Sequence, residues 1–417
     1  MNRYIIVTQN ILRIGGLELF TSGKAEYLEK EGWKVDVLYI GHKRRGRCAI
    51  PSLNKYLDGG FIEMNLPPYM FTQKQRKKAL DRITKYLNSS LPAEKIYIES
   101  HSDTTSQWAE LIAERIGGKH VFLLCNEYFR GHGKHYEECM DFYDFKHKRR
   151  EVAGEVENEM QKLFEGYKTV PQSECYLFDL DEDPVRDIPS QKIDGITRYD
   201  FNICYIGRAT KSYVPEILAD VAKFAGSVPD KTVQLVMVGD ASSQSERIMA
   251  IKSEHPGLIV TELGNLVPIP RSLFSKVDVV IAGSGSANCA VHEGVPVILA
   301  DTETQRSNGL LGYETKNFLF SDESTVSKSF MESLKDVFVR RIQDRLKFDY
   351  PPRKGPEECQ KQNFTLFERA DQTIEYYGEE KLCRLSHNSS AVRKLYFYDF
   401  LFNHMHPLLK LFGKTAY

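Results

Sequence analysis

Short apolar runs recur along this chain with room for a helix between most of them. In the first half they are Tyr4 to Val7, Lys34 to Ile40, Phe61 to Leu66, Lys95 to Glu99, Val121 to Leu124 and Lys168 to Val170. Helical-period segments at Gly16 to Lys30, Lys77 to Leu87 and Thr105 to Ile116 separate several of these runs. Strands that alternate with helices pair in parallel, because each helical crossover returns the chain to the same end of the sheet. The second half repeats the alternation with FNICYIG, TVQLVMVG, LIVTEL, VDVVIAG, VPVILAD and KNFLF, ending near residue 345. Between the halves, Asp179 to Asp200 is polar, carries two prolines and has no sustained period, the pattern of a linker.

The pattern predicts an α/β protein of two Rossmann-like, doubly wound domains. The first spans 1–185 and the second 201–345, with a linker at 186–200 and a helical extension at 346–417. A chain of 417 residues is also too long for one hydrophobic core. In the extension, Gln360 to Tyr377 reads as a polar helix that crosses back to the first domain. The tail from Val392, VRKLYFYDFLFNHMHPLLKLFGKTAY, fits either a helix packed on the body or an interfacial membrane helix.

Composition narrows the function. The net charge of −1 shows no global bias toward nucleic acid, and no partner of that kind is expected. The eight cysteines form no CxxC pair and the start MNRYIIVTQN has no signal-peptide pattern, so reduced thiols in a cytoplasm are expected. No apolar run reaches the roughly 18 residues that a membrane span needs. Local charge is a different matter. Basic clusters at His42 to Arg47, Lys74 to Lys78 and Lys146 to Arg150, with the apolar loop Leu66 to Phe71 beside the second, suit a solvated face or docking on anionic lipid.

The candidate chemistry lies in the turns that follow the strands, where ligands of open α/β sheets bind. One strand–glycine–helix unit in each half opens a helix whose free amides attract an anion: Gly15 and Gly16 in the first, and Gly283, Ser284, Gly285 and Ser286 in the second. Successive turns of the second half add Gly207, Arg208 and Lys211, then Gly239 and Asp240, then Gly264 and Asn265. Arg208 and Lys211 can neutralise a diphosphate from one rim while the backbone from Gly285 through Ser286 and Ala287 to Asn288 meets it from the other. A phosphate-bearing ligand is the expectation. HEG and GHGKH lack the spacing of a metal site, and no GxGxxG follows either first strand, so neither a metal nor NAD is expected.

These motifs, in this order, resemble those of the GT-B glycosyltransferases, most closely glycosyltransferase family 4: GG-x-E at Gly15 to Glu18, CYIGRATK, LVMVGD, HEGVPVI and NGLL at Asn308 to Leu311. The resemblance covers roughly residues 1 to 345. It implies two domains facing a cleft, with Gly15 and Gly16 on the acceptor side, and transfer of a sugar from a nucleotide-sugar to a hydroxyl of a glycan or lipid-linked acceptor. The nucleotide-sugar is then a substrate, and no cofactor is implied. A role in bacterial surface polysaccharide synthesis at the inner membrane face, without a metal and with retention at the anomeric carbon, follows from the same resemblance. The chain departs from the family where two glutamates usually stand eight positions apart, since Ile281 and Cys289 occupy those places; Glu293 is the candidate substitute. His101, after the strand KIYIES, and Glu127, after VFLLC, are the candidates for orienting or deprotonating the acceptor. A protein that binds without turnover and a nucleotide-sugar epimerase are the alternatives.

Overall fold

The computed structural model describes residues 2–12, 14–41, 47–87, 93–125, 136–154, 157–167, 170, 185–318, 325–384 and 389–404. The chain divides into two compact units, Met1–Asp181 with Pro356–Tyr417, and Glu182–Gly355. In chain order the first unit carries β1 (Arg3–Thr8), α1 (Gly16–Lys30), β2 (Lys34–Tyr39), α2 (Gln73–Leu87), β3 (Ile96–Ser100), α3 (Asp103–Ile116), β4 (Lys119–Leu124), α4 (Tyr136–Lys148), β5 (Val152–Gly154) and α5 (Glu157–Leu163). The second carries β6 (Val185–Arg186), α6 (Gln191–Asp194), β7 (Phe201–Ile206), α7 (Val214–Ser227), β8 (Val233–Val238), α8 (Ser245–Glu254), β9 (Leu258–Gly264), β10 (Ile269–Pro270), β11 (Val279–Ala282), α9 (Gly285–His292), β12 (Val297–Ala300), β13 (Ser307–Leu310) and α10 (Phe330–Phe338). The chain then re-enters the first unit as α11 (Pro356–Arg369), α12 (Glu379–Leu382) and α13 (Ser389–His404).

The first sheet runs β2-β1-β3-β4-β5, all parallel. Both of its faces are covered, as parallel sheets require. On β1, Ile5 and Val7 enter one core with α2 and α3, while Tyr4 and Ile6 enter another with α1 and α11. The second sheet runs β13-β12-β11-β7-β8-β9, parallel except for the antiparallel edge strand β13. Its strand β7 alternates in the same way, with Ile203 and Tyr205 to one side and Cys204 and Ile206 to the other. The order reverses between β1 and β3 in the first sheet and between β7 and β11 in the second. These are the two switch points.

The returning segment is fastened by charge as well as by packing. Phe367 of α11 stacks on Tyr97 with ring centroids 4.1 Å apart, and Lys119 donates to the Phe367 carbonyl at 2.7 Å. The Tyr377 amide donates to Glu110 at 2.8 Å, and Glu110 also holds His120 at 2.9 Å and Lys146 at 3.0 Å. Arg149 reaches Glu375 at 3.1 Å. Burial and the nearby Lys146 charge bring the His120 imidazole down to about 4. Burial pushes the Glu110 carboxyl up, but Lys146 and His120 override it and hold the group at about 2. An unfolded chain therefore takes up the His120 proton near pH 6.5, whereas the folded chain resists until about 4. Stability is expected to fall by about 3 kcal/mol across that window on acidification, and to fall further below 4.5 as Glu110 protonates. Urea unfolding at stepped pH should show this, with His120→Gln flattening the upper limb and weakening the lower one, since His120 helps hold Glu110 down.

Several expectations are corrected. Phe61 to Leu66 is not a strand: Gly60 makes one bridge to Tyr39, and Ile62–Asn65 then turns helically to bury Met64 and Glu63. A run this short does not distinguish the two periods. The sixth strand of the second sheet is Ser307–Leu310 rather than KNFLF, of which residues 319 and 320 lie outside the described residues. Ser307 and Asn308 hid it, since their polar side chains are buried against Ser333 at 2.7 Å and Asp301 at 2.9 Å. Three-residue β5 was too short to detect, and residues 168 and 169 of the expected strand Lys168 to Val170 lie outside the described residues. The segment read as a linker, 186–200, packs on the second unit: Val185 pairs with Ile269, and Ile193 and Ile196 are buried in its core.

Candidate functional site

The second unit gathers four glycine turns at the carboxyl ends of four adjacent strands, β11, β7, β8 and β9. Gly207 follows β7 and donates to the Val238 carbonyl at 3.0 Å; Gly239 follows β8 and donates to the Gly264 carbonyl, also at 3.0 Å. The chain passes so closely here that a Cβ on Gly239 would stand 2.0 Å from the Gly207 carbonyl oxygen, at a φ of +135°. At Gly283 a Cβ would meet the Ala300 carbonyl oxygen at 2.8 Å. These turns form a rim of bare backbone that a ligand can approach closely.

Polar groups flank this rim at the switch point. The exposed Arg208 stands on the β7 side, and the Tyr205 hydroxyl donates to its carbonyl at 2.9 Å. Lys211, half-buried, closes the same turn through its amide at 3.1 Å to the Arg208 carbonyl. On the β11 side Ser284 caps α9 with φ 56° and ψ −144°, a conformation that L-residues rarely adopt. Its carbonyl takes the amides of Ala287 and Asn288, leaving the amides of Gly285 and Ser286 as ones the helix itself cannot satisfy. Both the helix dipole and these donors favour an anion at this end. Gln244 ties the β8 loop to the β7 loop through the Ala209 carbonyl at 3.0 Å, and Ser212 reaches the Thr302 carbonyl at 3.2 Å. Asn265 is exposed at the β9 turn. Asp240 accepts from the Ser242 amide at 3.0 Å, which holds its carboxyl below the usual range. The Asn288 side chain accepts from Tyr350 at 3.0 Å.

Glu293 is not part of this rim. It stands at the carboxyl end of the eight-residue α9, about 12 Å along the axis from the amide-bearing end. Its side chain is 5 % exposed and is claimed by Arg271 and by Arg353. The family's other two positions are apolar and buried, Ile281 on β11 and Cys289 on α9. Glu293 is thus engaged at the far end of α9 from the rim.

In the first unit, Gly15 and His101 flank the β1/β3 switch point. The Glu18 carboxylate folds back over Gly15, so closely that a Cβ there would meet it at 2.5 Å. A carboxylate of the chain itself therefore lies over this helix start. Gly16 is the first residue of α1. His101 is fully buried, with Nε2 2.7 Å from Glu99 and Nδ1 3.1 Å from Thr8. Both ring nitrogens are thus engaged within the first unit. The other Glu99 oxygen accepts from Lys24 of α1 and from the Tyr4 hydroxyl. Burial alone pushes the Glu99 carboxyl up, and Lys24 and His101 bring it down to about 2. Glu127 lies outside the described residues.

Sequence reasoning missed this cluster because Lys24 and Glu99 are 75 residues apart and read separately as surface charges. The basic run Lys146 to Arg150 misled in the same way. Lys146 and Arg149 are buried, paired with Glu110, Glu151 and Glu375. Arg76 of the second cluster is buried against Glu379 at 2.8 Å, and Phe71 of the adjacent loop is 1 % exposed. Among the described residues no group of three or more His, Cys, Asp or Glu could hold a metal ion, and no helix is long and apolar enough to cross a membrane.

No family model and no curated protein matches the chain. Solved structures do. Anabaena HepE in complex with UDP is similar over 95 % of this chain and 99 % of its own, at 12 % identity and a TM-score of 0.55. The UDP-GlcNAc 2-epimerase of Neisseria meningitidis bound to UDP-GlcNAc covers 88 % and 99 %, at 12 % identity and 0.50. The lipopolysaccharide outer core galactosyltransferase WaaB covers 88 % and 97 %, also at 12 % and 0.50. The fold is GT-B. At this identity the likeness extends to the fold alone, and both Rossmann-like units take part in it.

Proposed function

We propose that this chain is a nucleotide-sugar enzyme whose second unit binds the nucleoside diphosphate and whose reaction is sugar transfer to a hydroxyl of a glycan or lipid-linked acceptor. The observation that carries this reading is the rim at the β7/β11 switch point: bare glycine turns, the free amides of α9 and the exposed Arg208. Together they offer backbone donors and one cation to a diphosphate, which is what a leaving nucleotide needs. The motif order shared with glycosyltransferase family 4 supports transfer, with bacterial surface polysaccharide as the product class. UDP is the first nucleotide to try, since HepE and the epimerase were solved with UDP and UDP-GlcNAc.

Epimerisation of the nucleotide-sugar is the second reading, favoured by the likeness to the UDP-GlcNAc 2-epimerase and by the missing carboxylate pair. A thermal shift with UDP, GDP, ADP and TDP tests the shared premise. Saturation at 100 times Kd should add about 2.7 kcal/mol of stability. Arg208→Ala should weaken binding about tenfold or more, whereas Glu293→Gln should leave it within about twofold. No shift with any of the four would overturn the site. Product analysis with and without acceptor then separates the readings, because transfer needs both substrates and epimerisation needs only the donor. A stabilising nucleotide with no product from either assay would leave a binding protein.

A further inference from the structure

α13 is held to the first unit by one face and offers a chemically distinct face to solvent. Val392 is buried, Leu395 and Tyr396 pack on the core formed with α2 and α3, and the Tyr396 hydroxyl donates to Glu63 at 3.2 Å. The rest of the helix surface exposes Arg393, Lys394, Phe397 and Tyr398, with Phe400 exposed beside the packed face. The three rings are 57 %, 50 % and 54 % exposed. Among the other exposed large apolar side chains of the described residues, Ile188, Met249 and Val326 stand singly and only Leu346 and Phe348 lie close in sequence. Three rings within about one helical turn make a patch, and soluble proteins keep such patches for a partner.

The charge beside the patch indicates the kind of partner. On α13 itself Arg393 and Lys394 stand against one carboxylate, Asp399, in a chain whose net charge is −1. Aromatic rings favour the headgroup level of a bilayer, and cations beside them are drawn to anionic headgroups within a Debye length. We infer that the outward face of α13 docks on an anionic lipid surface, with Phe397, Tyr398 and Phe400 among the headgroups and Arg393 and Lys394 against their phosphates. Docking of this kind does not depend on nucleotide binding.

Co-sedimentation of the full chain with phosphatidylcholine vesicles, with and without phosphatidylglycerol, tests the docking directly. Binding is expected only with phosphatidylglycerol, strongest at low salt and partly retained at high salt through ring burial. Phe397→Ser, Tyr398→Ser and Phe400→Ser combined should lower partitioning at least about tenfold. Arg393→Glu with Lys394→Glu should lower it about fivefold per cation removed. Both changes fall on exposed side chains of α13, and the charge pair decides alone if the serine variant loses its fold by circular dichroism. No sedimentation at low salt, or equal sedimentation of the charge variant, would overturn the inference. So would a concentration-dependent dimer in lipid-free sedimentation velocity that the serine variant abolishes, because a second copy would then be the occupant.

Discussion

Lys24→Met is expected to destabilise the first unit by about 3–5 kcal/mol at neutral pH, the usual cost of stranding one member of a buried ion pair. Lys24 and Glu99 are each 1 % exposed, so bulk solvent does not screen the charge left behind. The deficit should depend on pH in a defined direction. In the native chain Glu99 titrates at about 2, against 4.5 unperturbed, so its contribution is complete above 4.5 and is lost as pH falls toward 2. Without Lys24, burial raises the carboxyl above 4.5, and the variant's penalty disappears as the group protonates. The gap between variant and native protein should therefore narrow on acidification. Adding Glu99→Gln to Lys24→Met removes the stranded charge and should recover more than about 1 kcal/mol. Urea unfolding at pH 7.5 and pH 4.5 reads all three proteins. A loss below about 1 kcal/mol, or a gap that stays constant with pH, would show that the cluster does not bind α1 to the strand ends.

Gly239→Ala should cost the second unit about 3 kcal/mol or more and abolish the stabilisation by UDP. The added methyl meets the Gly207 carbonyl oxygen at 2.0 Å, a backbone atom that cannot swing aside, and φ of +135° is strained for any side chain. Relieving the clash means parting the ends of β7 and β8, and with them the turn that carries Arg208. Gly226→Ala is the matched control: it lies in α7, a Cβ there meets nothing within 4 Å, and the change should be neutral or stabilising by up to about 1 kcal/mol. If Gly239→Ala melts with the native protein and still responds to UDP, the close approach of the two turns is not what shapes the site.

Much of the architecture was legible because its signals are local. A strand such as Phe201–Ile206, its glycine turn and the helix that follows lie within a few tens of residues, and their periods of 2 and 3.6 survive without tertiary information. The start and end of α1 read directly from the sequence for that reason. The strands that escaped notice were those whose sequence contradicts the apolar pattern, Ser307–Leu310 with two buried polar residues, or is too short to carry one, Val152–Gly154, Val185–Arg186 and Ile269–Pro270.

The candidate site divides along the same line. Backbone features of the rim, Gly207, Gly239, Gly264 and the start of α9 at Gly283 to Ser286, were determined by the sequence itself, since a glycine after a strand signals its own turn. The fate of each charged side chain was decided only by the tertiary structure. Glu293 went to Arg271 and Arg353, 22 and 60 positions away, Lys24 and His101 closed on Glu99, and Lys146 and Arg149 turned inward to their carboxylates. Nothing near these residues in sequence distinguishes a buried ion pair from a solvated charge. Burial and pairing are properties of the packed neighbourhood, and a charge enters the interior only where folding delivers an opposite charge from a distant part of the chain.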